Sequence, residues 1–119
     1  MAHIASFEDI QVWQKARNLS LGLYGALEKC PDRAFKNQLL RASVSIMNNL
    51  AEGFERGSDR EFIQFLYIAK GSAGEVRSML SLTNNLGYLD DESASLFAQQ
   101  ATGISKMIAT FIKSLKKTL

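Results

Sequence analysis

A chain of 119 residues that is 46% apolar and 22% charged has the length of one domain and the composition of a packed globular fold, which excludes disorder and any need for a metal or disulfide to fold. Its formal charge of +2 permits a nucleic-acid partner without arguing for one. A single cysteine and a single histidine exclude an intrachain disulfide and a tetrahedral zinc site, and no apolar run approaches the roughly 20 residues of a membrane span.

Three short breaks, around Pro31, at Gly57-Ser58 and at Gly87, separate four stretches with apolar residues three and four apart. The pattern predicts an all-α, antiparallel up-down-up-down four-helix bundle forming a single domain over 1–119, with helices at 7–29, 34–56, 59–86 and 91–117. The start, Met1-Ala2-His3-Ile4-Ala5-Ser6, lacks the basic residues and apolar core of a leader, so a cytoplasmic protein is expected.

In the first helix Ser6 is the expected cap, with Glu8 and Asp9 in the first turn where the helix dipole favours negative charge. Trp13, Ala16, Ser20, Leu23 and Leu27 share one face, and Pro31 should end the helix by Cys30. The second helix carries a core stripe of Leu39, Leu40, Ser43, Val44, Met47, Leu50, Ala51 and Phe54. It also carries a separate polar row at Arg41, Ser45, Asn48, Glu52 and Arg56. This row is either a solvated face or a hydrogen-bonding layer at an oligomer interface, with Arg41 and Glu52 free to pair across subunits. Ser45, Asn48 and neighbouring Asn49 are poor helix formers for an exposed surface, which favours the interface.

Ser58 and Glu61 form an expected capping box at the start of the third helix, and Gly87 stands where a left-handed C-cap belongs. Seven of the eight residues in Phe62–Ala69 are apolar or aromatic, and Ile63 and Tyr67 share a side away from Phe62, Leu66 and Ala69. Either this helix is central in the bundle, or Ile63 and Tyr67 belong to a second buried face in an oligomer. Gly71-Ser72-Ala73-Gly74 places two costly glycines in mid-helix, for which close approach of a neighbouring helix is the simplest reason. Asp90 or Asp91 should cap the fourth helix, whose stripe is Phe97, Ala101, Ile104, Ile108, Phe111 and Leu115.

No catalytic constellation appears, and no cofactor or metal is expected. The carboxylates Asp90-Asp91-Glu92 read as a helix cap, and Gly53, Gly71 and Gly74 lie within helices rather than in a phosphate loop. The basic candidates are Arg56 and Arg60 at one break and Lys106, Lys113, Lys116 and Lys117 on the last helix. They are a solvated face that complements the dipole or, in a multi-subunit assembly, a field that attracts RNA or DNA.

Three stretches resemble a known family: Phe7-Glu8-Asp9-Ile10-Gln11-Val12-Trp13-Gln14-Lys15-Ala16; then Leu40-Arg41-Ala42-Ser43-Val44-Ser45-Ile46 with Asn49-Leu50-Ala51-Glu52-Gly53-Phe54; then Glu61-Phe62-Ile63-Gln64-Phe65-Leu66-Tyr67-Ile68-Ala69-Lys70-Gly71-Ser72. Together they resemble the four-helix bundle proteins encoded in intervening sequences of bacterial 23S ribosomal RNA genes. More distantly the chain resembles the accessory variability determinant protein of diversity-generating retroelements, which binds nucleic acid and a reverse transcriptase. The resemblance implies a four-helix bundle that assembles as a ring-shaped homopentamer, and it does not imply an enzyme. Met47 stands where the family often has proline, so a straighter second helix is expected. The resulting expectation is an oligomeric, non-enzymatic scaffold binding RNA or DNA through Arg56, Arg60, Lys113, Lys116 and Lys117, with Arg41, Ser45, Asn48, Glu52, Ile63 and Tyr67 at the subunit interface. The alternative is a protein-interaction module, holding a polymerase or a ribosome-associated protein, that touches no nucleic acid. A small-molecule enzyme ranks last.

Overall fold

Four long helices make up the computed structural model, which describes residues 4–119: α1 (Gln11–Ala26), α2 (Arg33–Glu55), α3 (Asp59–Thr83) and α4 (Asp91–Lys116). Met1, Ala2 and His3, half of the stretch read for a leader, lie outside the described residues. Each helix packs on its neighbours in chain order, and α4 returns to α1, so α1 lies diagonal to α3 and α2 to α4. The molecule is 46 Å long and 19 Å across in both other directions, the shape of a single bundle. The most extensive packing is of α3 against α2 and α4, while α1 is the shortest and most loosely held helix.

The helix ends follow local chemistry. The Ser58 hydroxyl accepts the Glu61 N–H at 3.3 Å and donates to the Glu61 carboxylate at 2.9 Å, so the capping box forms with the carboxylate on the hydroxyl rather than on the Ser58 N–H. Asp90 Oδ1 accepts the Ser93 N–H at 2.7 Å and caps α4. Gly57 and Gly87 have φ of +83° and +78°, the left-handed conformation that ends a helix at low steric cost. The Tyr88 N–H then closes on the Thr83 carbonyl at 2.8 Å.

The first helix begins later than expected. Ser6 precedes a 3-10 turn at Phe7–Asp9, its hydroxyl meets the Asp9 carboxylate rather than a backbone N–H, and Ile10 is extended at ψ 119° before α1 starts. The turn folds Phe7 onto Trp13, ring centroids 5.2 Å apart, and lets Ile10 enter the core. α1 ends at Ala26 and α3 at Thr83, each a few residues short of the sequence estimate, because the following turns close before Pro31 and Gly87. α2 runs through Met47 without a break.

Leu19, Leu23, Leu39, Ile46, Leu50, Leu66, Leu80, Ile104, Ile108 and Leu115 are fully buried, each stabilising the fold by about 1.5–3 kcal/mol relative to exposure. The buried face of α2 is rotated from the expected stripe. Ala42, Ile46 and Gly53 are in the core, whereas Val44, Met47, Ala51 and Phe54 are half-buried. Gly53 is the physical reason: a Cβ there would lie 2.6 Å from Phe65 Cβ and 2.9 Å from Phe62 Cδ1, so α3 closes directly onto the α2 backbone. A buried polar contact joins the first pair of helices, Ser20 donating to Ser43 at 3.1 Å and Ser43 to the Leu40 carbonyl at 2.8 Å.

Two expectations about α3 are corrected. Ile63 is 7% exposed and part of the bundle's own core, because α3 packs more extensively than the other helices, against both α2 and α4, and its apolar arc must be wider than one stripe. Gly71 and Gly74 do not admit a neighbouring helix, since a Cβ at either would meet nothing within 4 Å.

Candidate functional site

Antiparallel connectivity puts the end of α2, the start of α3 and the end of α4 at the same end of the bundle. The five cations singled out from sequence, Arg56, Arg60, Lys113, Lys116 and Lys117, are therefore gathered there although they are up to 61 positions apart in the chain. Two are already engaged. Arg56 pairs with the Glu52 carboxylate at 2.8 Å and lies over the Phe65 ring at 4.8 Å. Lys116 donates to the Tyr67 hydroxyl at 2.8 Å, its ammonium 5.3 Å from that ring's centroid. Arg60, Lys113 and Lys117 are exposed and make no ion pair among the described residues. Carboxylates are interleaved at this end: Glu52 and Glu55 end α2, Asp59 and Glu61 start α3, and Asp59 accepts from the Thr118 hydroxyl at 2.7 Å. The end is thus basic at particular side chains without being uniformly positive.

The polar row of α2 divides into parts. Glu52 is held by Arg56 one turn away, so it is not free to reach Arg41 of another copy without breaking that pair. Ser45 meets the Ser72 hydroxyl at 2.8 Å, and Asn49 donates to the Ser45 carbonyl and hydroxyl at 2.8 and 3.0 Å, so these groups join α2 to α3 within one chain. Arg41 and Asn48 stay exposed. They line an open groove of about 480 Å³ with Asn37, Leu40, Val44, Ser45 and Asn49 of α2 and Tyr24 of α1. Sequence reasoning missed Tyr24 and Asn37. The available signal was an aromatic residue off the buried face of the first helix.

In the first half of α3 the exposed apolar side chains are Tyr67 and Ile68, at 50% and 51%, rather than Ile63 and Tyr67, and Leu82 is exposed near its end. Gly71 and Gly74 lie along the same helix, both exposed.

At the opposite end, Tyr88 donates to Asp32 Oδ2 at 2.8 Å while Asp32 Oδ1 accepts the Phe35 N–H at 3.1 Å. These two bonds, the backbone one first, hold the Asp32 carboxyl below its ordinary value, and the carboxylate raises the Tyr88 phenol. Asp90 is lowered by its backbone bond from Ser93. These groups are helix caps and a clasp between two turns. Asp91 accepts from the Asn84 side-chain amide at 3.0 Å, which ties the start of α4 to the end of α3, while the capping expected of Asp90 or Asp91 falls to Asp90. Among the described residues no three His, Cys, Asp or Glu side chains converge as a metal site, and no helix is long and apolar enough to cross a membrane.

A family model described as 23S rRNA-intervening sequence protein matches residues 8–110. A crystal structure of a protein of unknown function from the S23 ribosomal protein family of Bacteroides thetaiotaomicron is similar at 26% identity and a TM-score of 0.80, covering 86% of this chain and 98% of that one. No curated protein matches the chain.

Proposed function

The chain belongs to the family of 23S rRNA-intervening sequence proteins, and from that premise we propose that it is a non-enzymatic, self-assembling helical scaffold of the cytoplasm that engages RNA or DNA through its basic end. The observation that carries the reading is the gathering of Arg56, Arg60, Lys113, Lys116 and Lys117 at one end, three of them without a carboxylate partner among the described residues. Such side chains contact phosphates, which supplies affinity without sequence information. Three single-strand phosphate contacts give a salt slope of about −2, so raising salt fourfold weakens binding roughly 20-fold per subunit. An assembly repeats the patch on every copy, which multiplies that attraction. Tyr67 and Ile68 support assembly, since paired exposed apolar side chains beside unfilled glycines suit a second copy; five copies is the number the family resemblance suggests.

Titrating labelled RNA and DNA against the protein at several salt concentrations tests this. Affinity should fall with salt, and the combined variant Arg60→Glu, Lys113→Glu, Lys117→Glu should lose most of it. Absence of any salt-sensitive binding at low salt refutes the reading. The interleaved carboxylates of the same end favour a second reading, a protein partner such as a polymerase or ribosome-associated factor. A partner that stays bound after nuclease treatment supports that version.

A further inference from the structure

The carboxylates are spread unevenly around the bundle. All 12 lie outside residues 10–27 and 93–119, which hold the whole of α1 and all of α4 beyond its first two residues. These helices are neighbours, so their shared outer face carries no acidic side chain between its margins. Lys15, Arg17, Lys106, Lys113 and Lys117 are exposed on them and make no ion pair among the described residues. A Cβ on Gly22 would meet the Phe97 ring, which sets those two residues level. Counted along antiparallel helices, Lys15 then stands level with Ile104, close to Lys106. Lys15 and Ile104 accordingly line one open groove of about 520 Å³ with Asn18, Gln99, Gln100 and Gly103, and Gln99 and Gly103 also line the hollow that holds Lys106. Lys113 and Lys117 follow Lys106 by seven and then four residues, about 10 and 6 Å along α4. Carboxylates reach only the margins: Asp9 shares a hollow with Lys106 but meets the Ser6 hydroxyl at 3.3 Å, and Glu28, Asp90, Asp91 and Glu92 close the other end.

We infer that the α1–α4 face lies along the sugar–phosphate backbone of an RNA or DNA duplex, with these cations on phosphates and the Asn18, Gln99 and Gln100 amides on phosphate or sugar oxygens. Charge selects a polyanion, since cations without interleaved carboxylates sum to one field along the face. The neutral groups beside them are amides and hydroxyls, which bond phosphate and sugar alongside Lys and Arg. A protein partner is held chiefly by large apolar or aromatic side chains at the centre of the contact. Here the exposed leucines, Leu21 and Leu96, stand toward the acidic margin, and Met107 and Phe111 are half-buried. A single strand would call for exposed rings on which to stack its bases, and the exposed ring of α1, Tyr24, lies on the α2 side. A duplex keeps its bases stacked and offers backbone alone. A second copy meeting the face through the same face would set like charges against each other. The inference rests on the reading that the protein binds RNA or DNA, and it adds Lys15, Arg17 and Lys106 to the cations of the basic end.

The test is fluorescence anisotropy across several salt concentrations with labelled RNA and DNA duplexes of about 20 base pairs, longer than the 46 Å bundle, and with a single strand of the same length. It compares the full chain with the face variant Lys15→Gln, Lys106→Gln, with the basic-end variant, and with Lys29→Gln, Arg33→Gln. The last removes the same charge where Glu28 and Asp32 stand beside it. Helical content and assembled mass are checked for each. The full chain should bind one or both duplexes more tightly than the single strand. The face variant should weaken duplex binding about tenfold at low salt and lower the salt slope by about 2, one for each lost phosphate contact. Lys29→Gln, Arg33→Gln should leave the slope in place. A slope unchanged in the face variant but lowered in the basic-end variant overturns the face alone. Equal losses in the face variant and in Lys29→Gln, Arg33→Gln also overturn it, since overall charge then sets the affinity. Tighter binding of the single strand overturns it, as does displacement of the duplex by polyglutamate at equal charge, which makes the face a surface for acidic proteins. A fall in assembled mass in the face variant with duplex binding retained makes it a contact between copies and overturns it too. A full chain that binds no strand or duplex overturns both this inference and the proposed function.

Discussion

Asp32 is one side chain with two jobs, capping α2 and receiving the Tyr88 hydroxyl from the turn before α4. Because its folded pKa lies below the ordinary 3.8, the stability it contributes is present above that value and is lost as pH falls through the lower folded one. Tyr88 has the opposite sign: its phenol is raised above 10.0, so its contribution is present below pH 10 and is lost as pH rises through the higher folded value. The melting-temperature advantage of the wild type over Asp32→Asn should therefore shrink as pH is lowered from 6 to 2. An advantage that is flat across that range would show that the clasp is not what the acid breaks. Gly53 is the other decisive residue. A Cβ at this position would lie 2.6 Å from Phe65 Cβ, an atom tied to the α3 backbone, so Gly53→Ala should cost about 1–2 kcal/mol even after the helix-propensity gain. That is a fall of roughly 4–8 °C in melting temperature, readable by circular dichroism. At Gly22 the nearest atom is the ring edge of Phe97 at 2.9 Å, which can swing away, so Gly22→Ala should cost less.

At the scale of the helix, α3 shows why wide hydrophobicity does not by itself announce an exposed face. Phe62, Ile63, Leu66 and Ala69 are all absorbed by contacts to α2 and α4, and what remains outside around the helix middle is Tyr67, Ile68 and the two glycines. In an isolated bundle Gly71→Ala and Gly74→Ala should each stabilise α3 by about 1 kcal/mol, since nothing lies within 4 Å of the added carbon. Where a second copy approaches closely at this face, the same substitutions should raise the concentration needed for assembly. Chemical denaturation at low concentration and light scattering at high concentration read the two effects separately. Assembly that is indifferent to both substitutions removes this face from the interface. The fourth helix was legible in part: Ala101, Ile104, Ile108 and Leu115 of its four-and-three stripe are buried, Phe97 and Phe111 are half-buried at the flanks, and Ala94, Ser105 and Ile112 join the buried face because α4 meets both α1 and α3.

At the scale of the molecule, the prediction concerns mass. A bundle that leaves Tyr67, Ile68, Leu21 and Tyr24 about half exposed should gain by covering some of them, and a closed ring leaves no open face. Gel filtration with light scattering at tens of micromolar should give a multiple of 13.2 kDa, with five the expected number. A clean monomer at that concentration would refute self-assembly. Tyr67→Glu should shift the mass downward while leaving helical content in place, because Tyr67 lies outside the bundle core.

The order and number of helices were written in the sequence because local signals set them: Pro31, Gly57 and Gly87 break the chain, Ser58 and Asp90 cap the helices that follow, and the spacing of three and four defines an apolar face. Which flank of α2 is buried was not, because that depended on Gly53 admitting Phe62 and Phe65 from a helix that comes later in the chain. The fate of Ile63 was likewise set by the extensive packing of α3 on both α2 and α4. The gathering of Arg56, Arg60 and the terminal lysines follows from antiparallel topology, which the sequence implied. The engagement of Arg56 by Phe65 and of Lys116 by Tyr67, and the groove between Tyr24 and α2, exist only once helices lie side by side. Periodicity reports what each helix turns away from water. It carries no record of which side chains from different helices meet, and tertiary packing alone decided that.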